Sequence, residues 1–204
     1  MNYDREFQQH DLSSAPAAAR PLLTGTQKMF GFIPAPVGRM VAQPAVAAAF
    51  VQMNGIWEHT SLTASEREVV VMTVAVENQC SYCVAMHTAM LAREGADAAL
   101  VDSLRAGATL PDARLNVLAT FARAIMRGRG EVSQDVWSAF HAAGYSHATA
   151  LEVVLGVATY TLSTFANRLT QAPLDAVFEP FRWTSNGRAS AIGHQASGKE
   201  QSAA

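Results

Sequence analysis

The chain has 204 residues, 50% of them hydrophobic, and a formal net charge of −2. This is long and apolar enough for one domain with a sizeable core. The near-neutral charge argues against a nucleic-acid partner, because proteins that bind nucleic acids usually carry a basic excess. Residues 1–11 are polar and show no signal peptide, which predicts a cytoplasmic location.

The N-terminal quarter of the chain predicts an extension followed by an Ala-rich helix. Residues 1–29 are expected to form a partly helical extension, with a helix over 17–30. The segment 31–38, GFIPAPVG, carries two prolines and two glycines and predicts a loop, with a short helical turn over 40–43. A helix over 44–58 follows, since proline is tolerated at a first helical position.

A capping box marks the start of the next helix, with Thr63 at the N-cap and Glu66 at the N3 position. The run VVVMTVAV over 69–76 is rich in β-branched residues and would suit a strand. The box before it and the helical pattern after it favour a helix. This helix holds Glu68, whose surroundings fit a solvated carboxylate and a buried, paired one equally well.

Both cysteines of the chain follow, as Cys80 and Cys83 in a C-x-x-C pattern. A helix over 81–93 would place Cys83 and His87 one turn apart on one face. The amide groups at its N-terminus favour thiolate over thiol, and the two cysteines are close enough for a disulfide when the first begins the helix. A dithiol and an imidazole in this arrangement are the parts of a thiol redox site.

Whether Glu68 can join this site depends on a break in the chain. One straight helix would put Glu68 about 18 Å from Cys80 along the axis, at about 1.5 Å per residue. Asparagine favours caps and turns over helix interiors, so the break is predicted at Asn78-Gln79. We therefore expect two helices side by side, with Glu68 reaching His87 directly or through water.

Four further helices and a polar tail complete the predicted architecture. The helices are expected over 97–107, 111–127, 133–143 and 147–170, residues 173–183 are expected to pack against the body or a neighbouring subunit, and residues 184–204 are predicted to be disordered. The last helix contains charged and polar residues, which indicates a buried helix rather than a membrane span. Within it, Asn167 is expected to hold a neighbouring loop by hydrogen bonds.

Other kinds of site explain the dithiol less well. Structural zinc sites usually rest on two separate ligand pairs, and only one cysteine pair is present. A c-type haem needs a histidine directly after the second cysteine, where Val84 stands. A thioredoxin-like site needs a βαβ setting, which the pattern does not indicate. No metal and no cofactor are therefore expected.

The combination of Glu68, Cys80-Ser-Tyr-Cys83 and His87 resembles the alkylhydroperoxidase D (AhpD) core of the carboxymuconolactone decarboxylase superfamily, in its peroxidase-related branch. The resemblance covers about residues 30–175 and includes a second phrase near its end, TFANRLTQAPLD. True carboxymuconolactone decarboxylases of the superfamily lack the cysteine pair, so its presence here argues against decarboxylation.

The resemblance implies a role for each site residue. Cys83 would attack the peroxide, and Cys80 would resolve the resulting sulfenic acid to a disulfide. His87 and Glu68 would form the proton relay that activates Cys83. Some relatives carry a histidine between the cysteines, where this chain has Tyr82. Tyr82 is expected to pack or to line the substrate pocket.

The resemblance also implies an all-α, single-domain AhpD-like bundle over 30–183, with seven or eight helices and the C-x-x-C pair at a helix N-terminus. The activity expected is that of a thiol-dependent peroxidase that reduces hydroperoxides. An external dithiol would restore the thiols, with a lipoylated protein as the candidate. A homo-oligomer built from dimers is expected, with a hexamer favoured.

Two further hypotheses use the same residues differently. The first is a cysteine-independent decarboxylase or isomerase in which His87 and Glu68 act as acid and base. The second is a redox sensor whose disulfide changes its assembly.

Overall fold

Helices account for all regular structure in residues 7–185, which are the residues that the computed structural model describes. The nine α-helices in this part of the chain are α1 (Arg20–Phe30), α2 (Ala35–Met40), α3 (Pro44–Trp57), α4 (Ala64–Glu77), α5 (Ser81–Arg93), α6 (Ala98–Ala106), α7 (Ala113–Gly128), α8 (Gln134–Ala142) and α9 (His147–Leu169). Two 3₁₀ helices, Ala17–Ala19 and Ala176–Phe181, flank them. The all-α prediction is confirmed, with more helices than the seven or eight expected.

The extra helix is α2, where the sequence predicted a loop over 31–38 and a helical turn over 40–43. That prediction is wrong because the prolines begin a helix here instead of preventing one. Pro34 is the N-cap residue, and Pro36 lies in the first turn, where no N–H is needed. The N–H of Gly38 then donates to the carbonyl of Pro34 at 3.0 Å.

Two other helix starts also differ from the prediction. The helix expected over 17–30 begins as a 3₁₀ turn and becomes α-helical only at Arg20, with a proline in its first turn. The helix expected from residue 111 begins at Ala113, because the side chain of Asp112 accepts a hydrogen bond from the N–H of Leu115 and so becomes the cap.

Helix α4 lies at the centre of the bundle and packs against α5, α6, α7 and α9. Every residue from Val69 to Val76 is buried. A helix that is apolar on all sides is a core helix, which explains why its sequence could be mistaken for a strand. The predicted capping box is confirmed, with both reciprocal hydrogen bonds between Thr63 and Glu66 present.

Helix α9 is long and apolar enough to cross a membrane by length and composition alone. In the structure it packs against α3, α4 and α7, which buries part of its apolar surface and leaves Leu151 and Phe165 exposed. It approaches α3 closely at Gly156, where an added Cβ would lie 2.6 Å from the ring of Trp57.

The C-terminal segment folds back over α5 and α6. Phe178 of the second 3₁₀ helix packs edge-on against Tyr82, and the indole N–H of Trp183 donates to the carbonyl of Arg105 at 3.0 Å. The expected packing against the body is therefore confirmed. Apart from its first two residues, the predicted disordered tail 184–204 lies outside the described residues, as do residues 1–6 of the predicted extension.

Candidate active site

The predicted break between the two central helices is confirmed. Gln79 adopts a left-handed conformation, with φ of 54°. The N–H of Gln79 donates to the carbonyl of Val76, and the N–H of Cys80 donates to that of Ala75. These two bonds close α4 in a Schellman motif, so the chain reverses and Cys80 becomes the N-cap of α5.

Helix α9 holds this turn from the other side. The side-chain amide of Asn78 donates to Oγ1 of Thr164 at 2.9 Å. The guanidinium of Arg168 donates to the backbone carbonyl of Asn78. Two bonds to one residue fix the turn against α9, and with it the start of the cysteine helix.

The two cysteines are free thiols whose Sγ atoms lie 3.3 Å apart. Each residue is only 1% exposed. A disulfide bond is about 2.05 Å long, so a movement of little more than 1 Å would join the two sulfurs. The C-x-x-C pair thus lies at a helix N-terminus as predicted, in a geometry ready to be oxidised.

The side chains of Glu68 and His87 meet as predicted, with Oε2 of Glu68 2.9 Å from Nδ1 of His87. Burial disfavours the charged imidazole, but the adjacent carboxylate outweighs it and raises the pKa of His87 above its ordinary value. Nε2 of His87 is buried and has no hydrogen-bond partner within the described residues. Because Nδ1 faces the carboxylate, Nε2 is the nitrogen left to exchange a proton with a bound molecule.

The two thiols differ in acidity. The hydrogen bond with the Cys83 thiol lowers the pKa of Cys80 to about 7, and the backbone N–H groups of Cys83 and Tyr82 add to this effect. The same hydrogen bond, together with complete burial, raises the pKa of Cys83 well above its ordinary value. In this arrangement the first negative charge lies on Cys80, whereas Cys83 is the thiol predicted to attack. The two roles therefore stay a prediction.

Asn167 reaches the site, contrary to its expected role of holding a loop. Its side-chain amide Nδ2 lies 3.2 Å from Sγ of Cys83 and 4.0 Å from Sγ of Cys80. The loop-holding role falls instead to Asn78. A signal for this contact was present in the sequence, because Tyr160, Ser163 and Asn167 are polar residues three or four apart on an apolar helix and so share one face.

Tyr82 ties α5 to the C-terminal segment. Its hydroxyl donates to Oδ2 of Asp175 at 2.6 Å, and the same oxygen accepts from the N–H of Ala35. Burial and this carboxylate raise the pKa of Tyr82 far above its ordinary value, so the phenol stays protonated. The packing predicted for Tyr82 is confirmed, and its substrate-binding role stays a prediction.

Taken together, the site holds a close dithiol, an amide donor and an imidazole–carboxylate pair. A dithiol of this kind can give up two electrons and form a disulfide. The imidazole–carboxylate pair can take up and release a proton. Among the described residues, no group of three or more His, Cys, Asp and Glu side chains is placed to hold a metal ion.

Three solved structures resemble this fold over most of the chain. The first is the alkylhydroperoxidase AhpD core of an uncharacterized peroxidase-related protein from Ralstonia eutropha JMP134, with 23% identity, a TM-score of 0.73, and coverage of 85% of this chain and 93% of that one. An uncharacterized peroxidase-related protein from Silicibacter sp. TM1040 gives 19% identity, a TM-score of 0.72, and coverage of 88% and 97%. The debrominase Bmp8 in complex with 2,3,4-tribromopyrrole gives 16% identity, a TM-score of 0.66, and coverage of 89% and 96%.

Comparison with protein families adds to these structural matches. A search of the curated proteins found no match. Residues 44–125 match the model of the carboxymuconolactone decarboxylase family, a range that includes α3 to α6 and the whole C-x-x-C segment. The family match and the solved structures agree: residues 44–125 are similar to the carboxymuconolactone decarboxylase family, and the fold is AhpD-like.

Proposed function

We propose that this protein is a thiol-dependent peroxidase that reduces hydroperoxides. The observation that carries the proposal is the pair of free sulfurs 3.3 Å apart beside the Glu68–His87 pair. Oxidation of a thiolate by peroxide gives a sulfenic acid, which condenses with a neighbouring thiol. Both reacting groups and a proton carrier are present within one site.

In the proposed reaction the Cys83 thiolate attacks an oxygen of the O–O bond. An S–O bond forms, the O–O bond breaks, and an alkoxide leaves with the electron pair. The His87 imidazolium protonates the alkoxide to an alcohol through Nε2. Cys80 then attacks the sulfur of the Cys83 sulfenic acid, water leaves, and the disulfide forms.

Glu68 completes the proton path in this proposal. Its side chain is 15% exposed, whereas that of His87 is 4% exposed. The carboxylate therefore lies between the buried imidazole and solvent. A proton released by a thiol can leave through His87 and Glu68, and a proton for the alkoxide can enter by the same route.

Turnover requires an external reductant, because disulfide formation consumes both thiols. We propose a dithiol for this step, since a second thiol can release the mixed disulfide that the first one forms. A lipoylated protein carries such a dithiol on a slender arm, which suits sulfurs as deeply buried as these. Exchange of the oxidised protein with lipoamide and with a bulky monothiol, compared by free-thiol count, tests this choice.

We also propose that the chain works as a homo-oligomer in the cytoplasm. Exposed apolar side chains on α3 and α9 support the assembly, among them Ile56 at 55%, Leu151 at 72% and Phe165 at 57%. Light scattering of the purified protein, with Leu151→Glu and Phe165→Glu as variants, tests it. A monomer at high protein concentration would contradict the proposal.

The peroxidase is tested by intact mass and free-thiol count after one equivalent of peroxide. Wild type should lose both thiols, Cys80→Ser should hold a trapped sulfenic acid, and Cys83→Ser should not react. A wild type that keeps both thiols would exclude the peroxidase. A decarboxylase or isomerase activity that both serine variants retain would instead favour the cysteine-independent enzyme.

A second candidate is reductive debromination, favoured by the same dithiol and by the likeness to the debrominase Bmp8. One thiolate would take bromine from carbon, the carbanion would take a proton, and the second thiol would displace bromide to leave a disulfide. Incubation with 2,3,4-tribromopyrrole and measurement of released bromide distinguish this activity. Disulfide formation with peroxide but without bromide release would exclude it.

A further inference from the structure

Two sets of hydrogen-bond donors reach the dithiol from two different helices. At the start of α5, the backbone N–H groups of Tyr82 and Cys83 favour the thiolate of Cys80. From α9, the amide of Asn167 donates to Cys83 at 3.2 Å and is 4.0 Å from Cys80. Ser163 of the same helix also favours the thiolate of Cys83. The helix start therefore favours one sulfur and α9 the other.

The balance between these donors decides which sulfur carries the charge. While the pair retains one proton, one cysteine is a thiolate and the other a thiol. A hydrogen bond to an ionised acceptor is roughly twice as strong as one between neutral groups. Each donor set therefore stabilises the charge on its own sulfur and leaves the proton on the other.

We propose that Asn167 stabilises a negative charge on Cys83 more than one on Cys80, opposing the preference of the helix N-terminus for Cys80, and so favours Cys83 as the attacking sulfur. The inference rests on the proposed peroxidase only in its last step, in which the favoured sulfur attacks the peroxide. The placement of charge is a property of the dithiol itself and can be measured without any peroxide.

The surroundings of Asn167 suit this role. The residue is 5% exposed, and its Oδ1 has no hydrogen-bond partner within the described residues. Its backbone carbonyl accepts from the N–H of Ala172, a contact that any residue could make. The turn that carries the cysteines is bound to α9 through Thr164, three residues before Asn167, and Arg168, one residue after it. The distance from the amide to the sulfur is thereby fixed.

The test uses proteins with one cysteine each, so that every thiol titrates alone. Cys80→Ser leaves Cys83, and Cys83→Ser leaves Cys80. Each is made with Asn167 and with Asn167→Leu, which removes the amide at similar volume. The pKa of each thiol is measured from the pH dependence of its thiolate absorbance. The Glu68–His87 pair is present in all four proteins, so its contribution cancels.

We expect Asn167→Leu to raise the pKa of Cys83 by about one unit, a roughly tenfold smaller thiolate fraction, and that of Cys80 by less than half as much. Equal rises at both cysteines would mean that the amide acts only through general polarity and would overturn the proposal. So would the absence of any rise, or a larger rise at Cys80.

Two further variants are needed, one as a control and one as a replacement. Thr170→Val changes another buried polar residue at the end of α9, whose Oγ1 bonds to the carbonyl of Asn167 and not to a sulfur. It should leave both pKa values unchanged, and a shift as large as that of Asn167→Leu would overturn the proposal. Asn167→Ala replaces the leucine variant if that one does not fold.

The placement of charge and the peroxidase can fail separately. If the pKa of Cys83 rises as expected but wild type does not consume peroxide, Asn167 keeps its role and the proposed function is lost. If peroxide is consumed, Asn167→Leu should slow the formation of sulfenic acid at Cys83 in the Cys80→Ser protein more than at Cys80 in the Cys83→Ser protein. A sulfenic acid that forms on Cys83 at an unchanged rate would overturn the selection.

Discussion

Replacing Glu68 by glutamine removes the charge from the proposed proton relay. The Glu68 carboxylate lies 2.9 Å from Nδ1 of His87, and the side chains are 15% and 4% exposed. Burial by itself lowers the pKa of His87, and the carboxylate reverses that effect. In Glu68→Gln burial is opposed only by the smaller effects of Cys80 and Glu58, so we expect the pKa of His87 to drop below its ordinary value of about 6.5.

The effect on stability follows from the direction of this shift. Folding raises the pKa of His87. The stability that the protonated His87 contributes is therefore fully present below its pKa in the unfolded chain, about 6.5, and is lost as pH rises through its pKa in the folded chain. A hydrogen bond to a charged group contributes about 1.5–3 kcal/mol. We therefore expect Glu68→Gln to lower the free energy of unfolding by about 2 kcal/mol in mildly acidic solution, and by less at alkaline pH.

Urea unfolding over a pH series measures the stability, and the ring resonances of His87 report its pKa. Glu77→Gln is the matched control, since Glu77 lies on the same helix, is 12% exposed, and pairs with Arg123 and Arg127 at 3.0 Å. It should lower stability without moving the pKa of His87. A pKa of His87 that stays the same or rises in Glu68→Gln would refute the reasoning. Peroxide reduction should fall by about 10²–10⁴ in Glu68→Gln and little in the control.

Three other changes have defined outcomes. Gly156→Ala should lower the free energy of unfolding by about 1–3 kcal/mol in thermal unfolding, because the added methyl lies 2.6 Å from the Trp57 ring. The loss should be much smaller in a Trp57→Phe background, and equal losses in the two backgrounds would contradict this reasoning. Cys83→Ala should raise the pKa of Cys80 above about 7, read from the pH dependence of alkylation, since the main hydrogen bond that lowers it is lost. Tyr82→Phe should lower the free energy of urea unfolding by about 1–3 kcal/mol, because it leaves a carboxylate short of one donor. A change in thiol acidity in this last variant would show that Tyr82 acts on the sulfurs as well.

Local signals in the sequence predicted most helix ends. The side chains of Thr63 and Glu66 each accept a hydrogen bond from the backbone N–H of the other residue, which starts α4. Gly107 adopts the left-handed conformation that commonly ends a helix, here α6. Helix α2 was missed because a proline is a barrier in the middle of a helix and a suitable first residue at its start. Pro34 and Pro36 could be read either way until the position of the helix was known.

The part of the site that lies within one short segment of the chain could be predicted from the sequence. Glu68 and His87 are 19 residues apart, and the limits of helix geometry were enough to predict that they meet. Asn167 contacts a cysteine 84 residues away, and no local rule sets the rotation of α9 against α5. That rotation comes from the packing of two helices on α4, which depends on the whole core.

The burial of both sulfurs bears on how substrates are told apart. With each cysteine 1% exposed, a reagent can reach them only when side chains above the site fluctuate apart. The rate of reaction is then the intrinsic rate of the thiolate multiplied by the fraction of time that the path is wide enough. Slender molecules need a small and frequent opening, whereas bulky ones need a rare one. Among peroxides of equal intrinsic reactivity, molecular cross-section would therefore set the order of preference.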